Sequence, residues 1–283
     1  MLDIPSIATR LQSPSSINTY KQCPRKYFYQ YIQKLPTKPS IHLIRGSIAH
    51  TVLEKFWETD AKHISKERFM EELTYLVKGL FIACWNKERQ KLDELCLPGG
   101  ELEYYKEETV VMLANWLNHM TGRIQEEIAR HPDKDFAEIW LRMRPQEIES
   151  EFQSNDLMVR GFVDYIEKLG DKIRIMDFKT SKQAKLTPEY RLQLAIYALL
   201  YEKEHKRRPD QVGLWFLKHG ELIINVDDAL LDLAHFEIEQ VHLGTRSKDI
   251  SDYPKNVGPL CKWSSGQCDF YETCFSQKTL TGH

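Results

Sequence analysis

The stretch Gly161-Phe-Val-Asp164-Tyr-Ile-Glu-Lys-Leu-Gly170-Asp171-Lys-Ile173-Arg-Ile175-Met-Asp177-Phe-Lys179 decides the fold. It reads as a strand carrying Asp164, a tight turn at Gly170 and Asp171, and a second strand carrying Asp177 and Lys179. Side chains alternate across a strand, so Asp177 and Lys179 share a face with Ile173 and Ile175. Charge beside apolar neighbours is costly unless it is paired, hydrogen-bonded or bound to a metal. Asp164, on the partner strand, can bring a second carboxylate to the same spot. Two carboxylates suit a hard divalent cation, which takes oxygen ligands. A lysine beside them can orient a water or balance negative charge developing on a phosphate. The residues therefore define a candidate metal-dependent phosphodiester-cleaving site.

Working outward, strand-like segments run over 147–152, 157–166 and 172–178, with turns at Ser154-Asn155-Asp156 and Gly170-Asp171. A helix is predicted over 188–204, then a hairpin of 212–217 and 222–226 turning at His219-Gly220, then a helix near 227–243. Before the sheet the period is helical. Residues 13–32 open with serines suited to capping, and Pro36 and Pro39 break the chain before a helix over 46–59. Two longer helices, about 66–92 and 101–130, are parted by Leu97-Pro98-Gly99-Gly100. This order predicts one α/β domain over 1–283. It comprises a mixed sheet flanked by helices (146–226), a helical insertion (60–145) and a cysteine-bearing tail (255–283).

At 283 residues the chain can bury a sizeable core, and its 28% charged and 42% hydrophobic residues are ordinary for a globular protein. A net charge of −2 supplies no global basic field, so contact with nucleic acid must come from local patches such as Lys21, Arg25, Lys26, Lys34 and Lys38. There is no apolar run of membrane-spanning length and no apolar signal core, so an intracellular, cytoplasmic protein is expected. The six cysteines are then read as metal-binding or buried rather than as a disulfide framework.

Four further features join the Asp–Asp–Lys core. His50 follows Gly46 on a helix, and its imidazole can complete a carboxylate site for manganese, nickel or zinc. Glu54, one turn on, is read as a supporting partner rather than a ligand. Gln193 and Tyr197, four apart on the next helix, share one face that can hold the lysine or contact a DNA phosphate. Cys23 with Cys261, Cys268 and Cys274 makes four thiols suited to an iron–sulfur cluster or a zinc ion. Cys84, in an apolar run, reads as a small buried hydrophobe, and Cys96 has no evident partner.

The ordered set Gly46…His50, Gly161-Phe-Val-Asp164, Asp177-Phe-Lys179 and Gln193-Leu-Ala-Ile-Tyr197 resembles the RecB-type nucleases of the PD-(D/E)XK superfamily. The opening Ser13-Pro-Ser-Ser-Ile-Asn-Thr-Tyr20-Lys-Gln-Cys23-Pro24-Arg25 resembles the iron–sulfur members, among them the AddB nuclease domain and the CRISPR-associated adaptation exonucleases. The resemblance leaves about 60–145 unmatched. It implies a restriction-endonuclease-like fold and a catalytic set of His50, Asp164, Asp177 and Lys179. It further implies metal (Mg2+ or Mn2+) on His50, Asp164 and Asp177, with Gln193 and Tyr197 as the helix motif. A 4Fe–4S cluster would sit on Cys23, Cys261, Cys268 and Cys274. One departure stands out: six residues part Cys261 from Cys268, where the family usually has two.

The expected activity is DNA exonuclease action, on single strands by family resemblance, in repair or recombination, with a helicase or integrase as possible partner. Trp85, Tyr104, Tyr105 and Trp116 of the insertion are candidates for lining a single-strand channel, or for core. The rival readings are a CRISPR-adaptation enzyme that trims DNA before integration, and an iron–sulfur DNA-binding module that no longer cuts.

Overall fold

A computed structural model describes residues 3–264 and 266–276. The rest of the 255–283 tail, and Ser265, lie outside the described residues. A five-stranded sheet of order β1-β2-β3-β4-β5 forms the centre. Its strands are β1 Glu147–Ser154, β2 Val159–Leu169, β3 Lys172–Lys179, β4 Gln211–Phe216 and β5 Gly220–Asn225. The meander β1–β2–β3 is antiparallel, β3 and β4 are parallel, and β4 and β5 pair as a hairpin. The parallel step needs a crossover, which the helix Pro188–His205 supplies. The mixed α/β class expected from sequence is therefore the one found.

Among the described residues the helices are α1 Ile4–Ile7, α2 Pro14–Gln22, α3 Pro24–Tyr27, α4 Ile41–Glu58, α5 Phe69–Lys87, α6 Arg89–Glu94, α7 Glu101–Arg130, α8 Phe136–Met143, α9 Pro188–His205, α10 Asp228–Gly244 and α11 Tyr271–Ser276. They cover both faces of the sheet. On one face α4, α5, α7 and α8 bury Phe56, Trp57, Trp116 and Trp140 against Tyr165, Met176, Phe178 and Trp215. On the other, α9 and α10 pack Leu192, Ile196, Leu230 and Ile238 on Val163, Ile166, Ile175 and Val212. A third, smaller core holds Tyr27, Phe28, Tyr29, Tyr253 and Phe270, with Cys268 and Cys274 against it.

The differences from the sequence reading are local. The helix that carries His50 starts at Ile41, capped by the Ser40 hydroxyl, rather than near residue 46. The segment expected as one helix over 66–92 breaks between Lys87 and Arg89. Helix α8 was not anticipated, although Asp135 and Glu138 form a complete capping box at its start. Trp85 and Trp116 are buried at 3% and 1% exposure, so they are core and line no channel, whereas Tyr104 is 54% exposed. Cys84 is buried, as read.

Candidate active site

Three neighbouring strands and two helices converge at one end of the sheet. From β1 comes Glu149, from β2 Asp164, from β3 Asp177 and Lys179, from α4 His50, and from α9 Gln193 and Tyr197. Asp164 bridges two of these elements. Its Oδ1 lies 3.1 Å from His50 Nδ1, and its Oδ2 accepts the backbone N–H of Phe178 at 2.5 Å. Asp177 is held from the other side. Its Oδ2 faces the Lys179 ammonium at 2.5 Å, while Oδ1 accepts from Gln193 Nε2 at 3.0 Å and from the Tyr197 hydroxyl at 3.4 Å. Gln193 closes the circuit, since its Oε1 accepts from Lys179 at 2.8 Å and its Nε2 donates to the Tyr197 hydroxyl at 2.8 Å. The pair Gln193/Tyr197 thus clamps both the carboxylate and the lysine.

Glu149 completes the centre, and it was absent from the sequence reading. It would lie directly opposite Asp164, yet the otherwise continuous β1–β2 register skips this position. Glu149 has φ 48°, a left-handed backbone that a non-glycine residue adopts at a cost. The side-chain alternation slips here on both strands. Ile148 and Tyr165 face the core under α4 and α7, whereas Phe152 and Val163 face the core under α9. Such irregularities re-aim side chains next to active sites. The result is that ligand atoms of His50, Glu149 and Asp164 all lie within 4.8 Å of one another.

The electrostatics follow from this crowding. Burial pushes the Glu149 carboxyl up to about 7, and the Asp164 charge adds to it against the opposing His50. Burial alone would lower the His50 value, but the charge and hydrogen bond of Asp164 outweigh it and raise His50 to about 9. Burial likewise raises Asp177, opposed by Lys179, with the Asp164 charge raising it further. Lys179 is also raised, because Asp177 outweighs the desolvation that would lower it. Protons on His50 and Glu149 and the Lys179 ammonium thus offset the crowded carboxylates. The buried Asp177 Oδ2 has no hydrogen-bond donor beyond its ion pair. These observations fit a divalent ion among His50, Glu149 and Asp164, with Asp177 alongside.

A cavity of about 740 Å³ opens onto the centre, and its lining includes His42, Arg45, His50, Glu54, Glu149 and Lys182. Arg45 is 2% exposed and ion-pairs with Glu108 of α7, which also pairs with Lys218. The helical insertion is thereby tied to the helix that carries His50.

The four cysteines of the expected cluster are brought together at the third core. Cys23 lies between α2 and α3, Cys274 on α11, and the Cys268 N–H donates to the Cys261 carbonyl at 2.9 Å. All four are free and half-buried. The Cys274 thiol is raised first by burial, and the neighbouring Cys23 and Cys261 push it the same way. Among the described residues their only thiol hydrogen bond is a long one, from Cys261 Sγ to the Asn256 carbonyl at 3.7 Å. A soft metal group suits four such donors. The extra residues between Cys261 and Cys268 fold as a two-stranded hairpin, β6 Lys262–Trp263 and β7 Gly266–Gln267.

A strand–turn–strand bears Asp164, Asp177 and Lys179, and a crossover helix clamps the last two. The match to a family model over residues 12–275 agrees: the chain belongs to the PD-(D/E)XK nuclease superfamily. Among curated proteins it is similar to the Gene 69 protein of Mycobacterium phage D29, 23% identical over 213 residues, covering 73% of this chain and 74% of that one. The Gene 69 protein of Mycobacterium phage L5 is 23% identical over 251 residues, covering 82% and 84%. A crystal structure described as "Putative exonuclease", from Eubacterium rectale, superposes with a TM-score of 0.49 at 13% identity, covering 97% of this chain and 90% of that one. No helix among the described residues is long and apolar enough to cross a membrane.

Proposed function

We propose that this nuclease is a metal-dependent exonuclease acting on single-stranded DNA, in repair or recombination. The observation that carries the reading is the approach of His50, Glu149 and Asp164 to within 4.8 Å beside a clamped Lys179. In this reading His50, Asp164 and Asp177, joined by Glu149, hold Mg2+ or Mn2+. The bound ion would supply Lewis-acid stabilisation of the charge that builds on the phosphoryl oxygens. Lys179, fixed by Gln193, places an ammonium where the attacking water and that charge meet. Tyr197 and Gln193 keep the Asp177 carboxylate from rotating away. Cys23, Cys261, Cys268 and Cys274 hold a 4Fe–4S cluster with a structural role. Its ligands come from both ends of the chain, so its binding energy becomes folding energy.

The test is digestion of end-labelled linear and closed circular single-stranded DNA, and of linear duplex, with Mg2+, Mn2+ or a chelator. Metal-dependent loss of the linear single strand, with the circle spared, is the expected result. Equal cutting of the circle would overturn the exonuclease reading. Binding without cutting under any metal would leave the non-cleaving iron–sulfur module in its place. Preference for linear duplex with processing to defined lengths would favour the trimming enzyme of CRISPR adaptation.

A further inference from the structure

Between Asp3 and Glu54 the chain has no acidic residue, although the protein as a whole carries a net charge of −2. The same stretch holds seven lysines and arginines, and the structure occupies five of them. Arg10 lies over the Tyr31 ring, 4.6 Å from its centroid, and Lys21 pairs with Glu237. Arg25 donates to the Tyr253 and Ile250 carbonyls, Lys26 to Gln22, and Arg45 is buried against Glu108. The remaining two, Lys34 and Lys38, are exposed on the irregular connector over 33–40. Among the described residues neither ammonium has a hydrogen-bond or ion-pair partner.

That connector joins the cysteine-bearing module to α4, the helix that carries His50. Pro36 and Pro39 stiffen it, and Ser40 caps α4, whose first turn sets His42 in the cavity wall. Lys38 is four residues from His42, so at most about 14 Å of chain separates them. Lys182 lines the same cavity and is exposed, its carbonyl lying 2.8 Å from His219 Nε2. His42 registers the field at this end. Burial lowers it first, and Arg45, Lys182 and Lys218 each lower it further. Unpaired lysines on the connector just ahead of the pocket and in its wall, with His42 between them in sequence as a hydrogen-bond donor, suit a polyanion.

We propose that Lys34, Lys38, His42 and Lys182 form a phosphate track that carries the backbone of one DNA strand from the connector into the catalytic pocket. This deepens the exonuclease reading and rests on it. The track follows one side of one strand, so it neutralises phosphates without reading bases, and binding along it is salt-dependent.

The test uses the full-length protein and a fluorescently labelled single-stranded oligonucleotide in chelator, so that binding is read without cutting. The triple variant Lys34→Gln/Lys38→Gln/Lys182→Gln should bind on the order of a hundredfold more weakly at 0.1 M salt. Its plot of log affinity against log salt should be shallower by about 2, at about 0.7 for each lost contact. A control, Lys78→Gln/Lys168→Gln/Lys172→Gln, removes the same charge from exposed sites away from the connector and pocket, and should match the wild type. An unchanged slope in the first variant, or an equal change in the control, overturns the track. If the wild type neither binds nor cuts the oligonucleotide, the exonuclease reading itself fails, which is a different result from a cutting wild type with an unaffected variant. Tighter binding of duplex, with a slope change near 0.9 per contact, would replace the single strand with a double one.

Discussion

The catalytic end of the sheet and the cysteine module hold their reactive groups in opposite ways. Every oxygen of Asp164 and Asp177 already meets a protein group: His50, the Phe178 amide, Gln193, Tyr197 or Lys179. Among the described residues the four thiols have a single long hydrogen bond. One centre is organised by its own side chains and sits on strands that are buried on both faces. The other brings its thiols near one another at the edge of a small aromatic core. Under the proposed function a ligand would complete the first centre but build the second.

The largest effect that separates them is chemical. Asp177→Asn keeps the shape and a hydrogen-bond acceptor for Gln193 and Tyr197 but removes the charge facing Lys179. Cleavage should fall by at least about a thousandfold, with thermal midpoint and any iron–sulfur absorbance retained. Half-normal activity in this variant would remove Asp177 from the site.

The mirror experiment strikes the module. Cys274→Ser should lose the brown colour of anaerobically purified protein and expose the segment 245–276 to protease, while the sheet over 147–225 resists. Separate opening of the two regions is expected because few elements link them. Colourless wild-type protein with one zinc per chain would put zinc where the cluster is proposed, without touching the comparison. Cys84→Ser should change neither, since Cys84 is buried in the helical core away from the other thiols.

Two motif glycines give a smaller and sharper contrast. A Cβ on Gly161 would sit 3.0 Å from Tyr197 Cε1 and 3.2 Å from Leu200 Cδ1, tighter than ordinary packing. Gly161→Ala should push Tyr197 from Asp177 and cost about tenfold in cleavage rate. A Cβ on Gly46 would meet only Thr180 Oγ1 at 3.7 Å, an ordinary contact. Gly46→Ala should therefore stay near wild type, and a loss equal to that of Gly161→Ala would show that the clamp on Asp177 is not what the glycine protects.

These cases also show which parts of the molecule were legible in sequence. Asp164, Asp177 and Lys179 stand out because strand alternation and a Gly170 turn place them together with no further information. Gln193 and Tyr197 follow from helical spacing and a family pattern. Glu149 does not. It lies in Glu147-Ile-Glu149-Ser-Glu151, where alternation makes all three glutamates equivalent, and only a left-handed backbone at the skipped position distinguishes it. Whether aromatic residues of the insertion are core or channel was equally hidden, because Trp116 is placed by α4 and β3 neighbours remote in sequence. Helix α8 carried a readable signal, the Asp135–Glu138 capping box, in a segment too short to show its period.

The smallest effect is the one that separates a centre merely completed by its ion from one built by it. In the metal-free protein His50 is raised to about 9, above its ordinary 6.5. Its contribution to stability is thus full below pH 6.5 and is lost as pH rises through 9. Glu149, raised to about 7 from 4.5, holds its proton more tightly when folded, so its contribution fades between 4.5 and 7. Both signs agree: the metal-free fold weakens as pH rises through this window. Metal ligation needs both groups deprotonated, so the ion must displace their protons. Mn2+ binding followed by calorimetry in two buffers should release close to two protons near pH 6, about one near pH 8 and none near pH 10. Glu149→Gln should abolish the lower step and leave the upper. A proton count constant across that range would separate His50 and Glu149 from the ion, and with them the claim that one strained strand residue completes the site.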